Sequence, residues 1–156
     1  MSQRIKYWEV EGPTFKAMFA VEQAIKASAA EAGVPAGLLH MLKLRASQMN
    51  GCAYCVDMHW KDAAAAGESV ERLYMLSAWR ESALYTPAER AALEWCESLT
   101  AIGESHAPDA AYAALREQYS ERAVAVITWA VAAINAWNRV AISMRSEPGF
   151  YKPAKH

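Results

Sequence analysis

The spacing of hydrophobic residues predicts helices along most of the chain. Apolar side chains recur every three or four positions over residues 14 to 31 and again over about 35 to 49. Gly33 with Pro35 separates these two segments, and Gly51 ends the second. Residues 1 to 13, which carry Tyr7 and Trp8, show no such spacing and are expected to form an irregular arm that packs on the rest.

Five further helical segments follow, separated by short stretches that contain Gly, Pro or a capping residue. Thr86 with Glu89 forms a capping box, and Ser120 is placed to cap the last and longest helix. The segments cover about residues 52–66, 69–79, 86–99, 108–119 and 120–145. The last helix is apolar on most of its sides, so we expect it to be central or to lie in a subunit interface. We expect the cysteine helix, about residues 52–66, to lie near the centre as well.

Composition supports an all-α fold of about six to seven helices in one domain. The chain of 156 residues is long enough for a single core, and hydrophobic residues make up 54% of it. It contains 33 Ala but only 19 Val, Ile and Thr residues, a balance that favours helix over sheet. We expect one domain over residues 1–156, with the arm at 1–13.

Charge and the N-terminal sequence narrow the range of partners and the compartment. The formal net charge of -1 predicts no binding to nucleic acid or to anionic membranes. No apolar segment typical of a secretory signal follows the N-terminus, so a cytoplasmic location is expected. Three cysteines in such a protein argue against a structural disulfide scaffold.

The cysteines instead form a compact motif with a histidine. Cys52 and Cys55 lie three positions apart, and His59 follows Cys55 by four, so on a helix the three share one edge. Cys52 and Cys55 are close enough to form a disulfide, and His59 can accept a proton from Cys55. The positive end of the helix favours a thiolate, which attacks peroxides and disulfides.

Two residues before the turn at Gly51 join this candidate site if the flanking helices are antiparallel. His40 lies about as far before the turn as His59 lies after it, so the two side chains are expected to be neighbours. His40 would then orient His59 or pass a proton to it. By the same counting, Gln48 is expected near the cysteines.

Residues 48 to 62 resemble the signature of the alkylhydroperoxidase-D-like, or carboxymuconolactone decarboxylase, superfamily. The resemblance is specific at Cys-x-x-Cys-x-x-x-His and extends to the preceding Leu-Arg-Ala-Ser-Gln. The sequences Ala-Trp-Arg-Glu at 78–81 and Asn-Ala-Trp-Asn-Arg at 135–139 resemble its small peroxidase-related branch. Overall, the resemblance covers about residues 35–147.

The resemblance implies an all-helical homo-oligomer, a trimer or a hexamer, with thiol peroxidase activity. It implies that Cys55 attacks the hydroperoxide, that Cys52 resolves the product into a disulfide and that His59 belongs to a proton relay. A thiol or protein reductant would then reset the pair, and no cofactor or metal is expected.

Two positions depart from the best-known branch of the superfamily. Its relay begins with a Glu twelve residues before the first cysteine, where this chain has His40, and it has a His between the cysteines, where this chain has Tyr54. A Tyr can donate a hydrogen bond but is a poor base at neutral pH. We therefore expect a weaker activity or a different substrate.

Other interpretations of the same residues remain open. The two cysteines could be core thiols, or they could bind zinc together with His59 and either Cys96 or His40. Decarboxylation of a lactone and a non-enzymatic redox-sensing oligomer are alternatives to peroxide reduction. Cys96 beside Trp95 is expected in the core. His106 is expected in a solvated loop, and His156 carries no functional prediction. The tail after Pro148 is expected to be loose.

Overall fold

A computed structural model describes residues 2–153, and helices account for all the regular secondary structure in that part of the chain. The expected all-α fold is therefore confirmed. Two single-turn helices add to the seven predicted segments, and the segment predicted at about 69–79 is divided into an α-helix and a 3₁₀ helix, Leu76–Glu81. The α-helices are α1 (Tyr7–Val10), α2 (Gly12–Glu31), α3 (Ala36–Asn50), α4 (Ala53–Ala65), α5 (Val70–Met75), α6 (Pro87–Thr100), α7 (Ile102–Ser105), α8 (Asp109–Gln118) and α9 (Glu121–Met144).

Helix α3 lies at the centre of the bundle. It packs against α4, α6 and α9, and most of its side chains are buried, including the fully buried Met41, Leu42 and Leu44. Helix α9 crosses the same core and also packs on α2 and α6. The expectation of a central last helix is confirmed, whereas the second central helix is α3 and not the cysteine helix.

Helix α4 covers one side of α3 and is buried along a single stripe. Its buried side chains are Cys55, His59 and Ala63, which lie four positions apart. The antiparallel arrangement of α3 and α4 depends on Gly51, whose φ of 71° is left-handed and permits the tight end of α3. The predicted fold-back at this turn is thus confirmed.

Helix α9 combines the length and hydropathy of a membrane span with extensive packing inside the protein. Among the described residues it is the one helix that meets those two criteria. Its buried side chains, however, include the fully buried Ile127, Ala130 and Val131 within the common core. Such burial is typical of the core helix of a soluble fold.

The two ends of the described chain differ from the sequence-based expectation. The arm is not irregular throughout, because α1 forms one helical turn and α2 begins at Gly12, where Glu11 accepts a hydrogen bond from the backbone of Thr14. The tail after Pro148, which the sequence predicts to be loose, is attached to α4: Gly149 N donates to Asp57 Oδ2 at 3.0 Å. His156 lies outside the described residues.

Candidate active site

The cysteine pair lies at the N-terminal end of α4. Cys52 is the N-cap residue and α4 begins at Ala53, one position later than the sequence suggests. The two residues form a disulfide with a Cα–Cα distance of 5.3 Å, and both are 1% exposed. The backbone N–H of Cys55 donates to Cys52 Sγ at 3.4 Å, so the helix end supplies a hydrogen bond to sulfur.

Cys55 lines a cavity of about 510 Å³ between α2, α3, α4 and α9, whereas Cys52 is not among its lining residues. Most of the wall is apolar, and Trp137 from α9 contributes to it. The apolar lining side chains include Phe15, Phe19, Ile25, Leu39, Met58 and Ala141, and the polar ones include His40, Tyr54, His59 and Asp62.

His40 and His59 face each other across the α3–α4 interface. Their ring centroids lie 6.0 Å apart, which confirms the predicted neighbourhood of the two imidazoles. Asp62, one turn after His59 on α4, places its Oδ2 atom 3.9 Å from Nδ1 of each ring. Neither Nδ1 atom has a hydrogen-bond partner within the described part of the chain, although both are buried.

Burial keeps both imidazoles neutral near pH 7. Desolvation lowers the pKa of His59 well below its usual value, and the nearby charge of Lys43 acts in the same direction. Desolvation also lowers the pKa of His40, against the opposing influence of the Asp62 carboxylate. A neutral imidazole has a free lone pair, so each ring is able to accept a proton.

The C-terminal tail completes the polar side of the cavity. The Tyr151 hydroxyl donates to Asp62 Oδ1 at 2.7 Å, and Lys61 Nζ donates to the Tyr151 carbonyl at 3.1 Å. Burial raises the pKa of Tyr151 above its usual value, and its hydrogen bond to Asp62 acts in the same direction. Tyr151 therefore remains a protonated donor that fixes one oxygen of the carboxylate.

A buried ion pair lies beside the imidazoles. Lys43 on α3 forms a salt bridge with Glu22 on α2, and Trp137 Nε1 donates to Glu22 Oε1 at 3.1 Å. Lys43 and Glu22 both line the cavity. Because Glu22 neutralises Lys43, this part of the wall carries little net charge.

The predicted site residues are only partly brought together. Cys55, His59, His40 and Tyr54 all line the cavity, and burial raises the pKa of Tyr54, as expected for a poor base. Gln48 does not line it.

The side chain of Gln48 is held elsewhere, because its Oε1 accepts a hydrogen bond from Arg45 Nη1 at 3.4 Å. Within residues 2–153, no hydrogen bond joins the Gln48 side chain to a residue that lines the cavity.

The expected core position of Cys96 is confirmed. Its thiol is fully buried and donates to the Leu42 carbonyl at 3.2 Å. Burial raises the pKa of Cys96 to about 12, so this sulfur stays a thiol at neutral pH. Cys96 is therefore chemically distinct from the pair at the cavity.

Sequence reasoning missed Asp62 and Tyr151. Asp62 follows His59 by three positions, so the helical spacing that linked His59 to Cys55 could have identified it. No comparable local signal exists for Tyr151, which approaches the site from 89 residues further along the chain.

Comparison with known proteins gives a consistent family and fold. Residues 13–98, more than half of the chain, match the model of the carboxymuconolactone decarboxylase family. The protein YdfG of Bacillus subtilis (strain 168) is 40% identical over 144 residues, which cover 92% of this chain and 95% of YdfG.

Two solved structures show the same helical arrangement. A protein of unknown function from Agrobacterium tumefaciens, suggested to be the antioxidant defence protein AhpD, is 41% identical with a TM-score of 0.90, over 96% of this chain and 100% of its own. A peroxidase-related protein with an alkylhydroperoxidase AhpD core from Ralstonia eutropha JMP134 is 23% identical with a TM-score of 0.80, over 92% and 74%. The chain has the AhpD-like fold and belongs to the carboxymuconolactone decarboxylase family.

Proposed function

We propose that this protein is a thiol peroxidase that reduces hydroperoxides at Cys55. The observation that carries the proposal is the position of Cys55, at the positive end of α4 and in the wall of a mostly apolar cavity beside two neutral imidazoles. Family membership and the cysteine pair also fit an antioxidant role.

The first step begins with the reduced pair. His59, one helical turn after Cys55, accepts the Cys55 proton, and the helix N-terminus stabilises the resulting thiolate. The thiolate attacks the terminal oxygen of the hydroperoxide, so an S–O bond forms and the O–O bond breaks. The protonated imidazole returns its proton to the leaving oxygen, which departs as an alcohol or as water.

The second step protects Cys55 from further oxidation. The Cys52 sulfur, which accepts the N–H of Cys55 in the oxidised state, attacks the Cys55 sulfenic acid and forms the disulfide. The sulfenic oxygen leaves as water and takes up the Cys52 proton. An external dithiol or protein thiol then reduces the disulfide, so each cycle consumes two electrons from that reductant.

The other cavity residues fit roles around this chemistry. Asp62 Oδ2 lies 3.9 Å from Nδ1 of each imidazole, so His40 is placed to exchange a proton with His59 through that carboxylate or a water. Tyr54 is a hydrogen-bond donor on the wall and not a base. The sequence predicts Gln48 in the site, but the Gln48 side chain bonds Arg45 instead, so we assign Gln48 no catalytic role.

The shape of the cavity favours an organic hydroperoxide over hydrogen peroxide. Phe15, Phe19 and Trp137 provide an apolar wall large enough for an alkyl or aromatic group. Burial of that group would hold the peroxide oxygen near Cys55 and would raise the rate through binding energy.

We also propose that the protein is a cytoplasmic homo-oligomer, a trimer or a hexamer. Trp129 on α9 is 65% exposed in the single chain, and Ile142 on the same helix is 45% exposed. A cytoplasmic location suits a pair that must be reduced again by cellular thiols. Light scattering on the purified protein measures the subunit number.

Replacement of single cysteines tests the proposed reaction. The Cys55→Ser variant should consume cumene hydroperoxide no faster than buffer, with dithiothreitol as reductant. The Cys52→Ser variant should form a sulfenic acid that a dimedone probe labels, without an internal disulfide. Cys96→Ala is the matched control and should retain wild-type turnover, because Cys96 lies in the core.

The alternatives give different outcomes in the same assay. A lactone decarboxylase would retain its lyase activity after Cys55→Ser, and a redox sensor would form the disulfide without multiple turnovers in the wild type. Either result would contradict the peroxidase proposal.

A further inference from the structure

His40, His59 and Asp62 form a group of metal-ligating side chains apart from the disulfide. Each offers one ligand atom, and the three atoms lie within 4.8 Å of one another. Two imidazole nitrogens and one carboxylate oxygen are a ligand set that zinc and other divalent transition metals accept.

The imidazole nitrogens that face Asp62 have no other function within the described residues. Nδ1 of His40 and Nδ1 of His59 are both buried and lack a hydrogen bond there. The 3.9 Å from each Nδ1 to Asp62 Oδ2 is too long for a direct hydrogen bond. His59 as a whole is only 6% exposed, so these lone pairs point into enclosed space. A buried acceptor without a partner is destabilising unless something else fills that space.

The separations suit a metal ion after a small contraction. With metal–ligand bonds of about 2.1 Å, neighbouring ligand atoms in a tetrahedral zinc site lie about 3.4 Å apart. The two distances of 3.9 Å exceed this by about half an ångström, and the separation of the two imidazole ligand atoms is within 4.8 Å. Side-chain rotation of Asp62 and the two imidazoles would have to bring all three atoms closer around the ion.

The surroundings orient the carboxylate for such a role. Tyr151 donates to Asp62 Oδ1, so this oxygen is occupied and Oδ2 is left facing the imidazoles. Hydrogen bonds of this kind to a ligating carboxylate are usual around protein metal sites.

The charges near the three ligands do not prevent cation binding. The charge of Lys43 acts on both imidazoles, but Lys43 is paired with Glu22. Lys26 acts more weakly, and on His40. Asp62 supplies a negative charge directly at the ligand atoms, and the cavity leaves room for water or another small ligand on the metal.

We propose that His40, His59 and Asp62 bind one divalent transition-metal ion of the zinc type. The three residues supply three ligands, and the cavity side supplies an open position. The site does not need the thiols. If the proposed peroxidase reaction is correct, the metal also occupies the imidazoles of its proton relay and therefore inhibits it reversibly.

Competition with a chromophoric chelator for Zn²⁺ tests the site in the disulfide form of the full chain, in which Cys52 and Cys55 cannot bind metal. We expect one Zn²⁺ per chain. His40→Asn and Asp62→Asn should each weaken binding by about tenfold or more, because each removes a ligand. Absence of a stoichiometric Zn²⁺ would overturn the proposal.

Two matched variants control for Zn²⁺ bound elsewhere. His106→Asn removes an exposed histidine, and Asp109→Asn removes an exposed carboxylate in the first turn of α8. Both should bind Zn²⁺ like the wild type. Equal affinity in His40→Asn, Asp62→Asn and the wild type would place the metal at another site and would contradict the proposal.

Cobalt spectra of the wild type give a second measurement that requires no variant to fold. Co²⁺ bound to the disulfide form should show visible bands of a four- or five-coordinate nitrogen–oxygen site and no thiolate-to-metal band. A spectrum of octahedral aqueous Co²⁺ would contradict the proposal.

Peroxidase assays in excess chelator separate the two proposals. Turnover without metal supports the peroxidase reaction whatever the Zn²⁺ result. Zn²⁺ binding to the disulfide form likewise stands if peroxide is never consumed.

Discussion

Two buried carboxylates in this protein have opposite surroundings. Glu97 on α6 accepts hydrogen bonds from Arg45 Nε at 2.6 Å and from Trp79 Nε1 at 2.8 Å, and Arg80 forms a salt bridge with its other oxygen. Asp62 on α4 has one hydrogen bond, from Tyr151, and its second oxygen lies 3.9 Å from two imidazoles that do not reach it.

The electrostatics of the two carboxylates differ in the same way. Burial alone would raise the pKa of Glu97, but its hydrogen bonds from Arg80, Trp79 and Arg45 hold the pKa below its usual value. The imidazoles beside Asp62 are kept neutral by burial, so no cation pairs with that carboxylate directly. A fully paired carboxylate joins helices together, whereas an incompletely paired one leaves space for a proton, a water or a metal ion.

The largest expected effect comes from His59 in the incompletely paired cluster. His59→Gln removes the proposed acceptor of the Cys55 proton and should lower kcat/KM for cumene hydroperoxide by about 10²- to 10⁴-fold. Its melting temperature should change little, because the wild-type Nδ1 has no hydrogen bond to lose. A variant with full activity would remove His59 from the proton relay.

Glu97→Gln should affect stability and leave the chemistry intact. The substitution leaves Arg45 without its counter-charge, whereas the half-exposed Arg80 keeps its salt bridge with Glu94. It should therefore lower the free energy of unfolding by about 2–3 kcal/mol, less than the loss of a fully buried pair. Urea denaturation measures the loss. A large fall in peroxide turnover at a temperature where the variant is folded would contradict the distinction between the two clusters.

The pH dependence of stability gives a third test. Because folding lowers the pKa of His59 below its ordinary value of 6.5, the unfolded chain binds more protons than the folded one below that pH. The contribution of His59 to the free energy of unfolding should therefore be constant above pH 6.5. Below pH 6.5 this contribution should decrease by about 1.4 kcal/mol for each unit that the pH is lowered. His40 contributes in the same direction.

Urea titrations of the wild type and of His59→Gln at several pH values check this expectation. His59→Gln should flatten the fall below pH 6.5. An equally steep fall in His59→Gln would mean that other groups cause it.

The smallest expected effect belongs to the tail. Tyr151→Phe removes the single hydrogen bond to Asp62 and should cost about 1 kcal/mol of stability. It should also allow Asp62 to rotate, which hydrogen exchange at residues 149–151 and at α4 would detect. Unchanged exchange would indicate that the other tail contacts suffice to hold this segment.

The sequence predicts those parts of the site that depend on helical period. Cys55 and His59 share a stripe because they are four positions apart, and His40 faces His59 because Gly51 ends α3 and permits an antiparallel return. Caps such as Thr86 and Ser120 were also found where predicted. Each of these features depends on residues within about twenty positions of one another.

The parts that the sequence does not predict depend on distant partners. Gln48 has the right position along α3, but Arg45 draws its side chain away, toward the cluster at Glu97 on α6. Tyr151 reaches Asp62 from a tail that shows no local sign of order. The orientation of the Gln48 side chain and the position of Tyr151 therefore follow from tertiary contacts, which hydrophobic spacing does not encode.

Counting thiols before and after one equivalent of cumene hydroperoxide tests the central claim most directly. A sample of the reduced, metal-free protein that is denatured without exposure to peroxide should contain three reactive thiols per chain. A sample that is denatured after the folded protein has reacted should contain one, that of Cys96, and mass spectrometry should identify a Cys52–Cys55 disulfide. Three thiols remaining after excess peroxide would contradict the proposal that Cys55 is a peroxide-reducing sulfur.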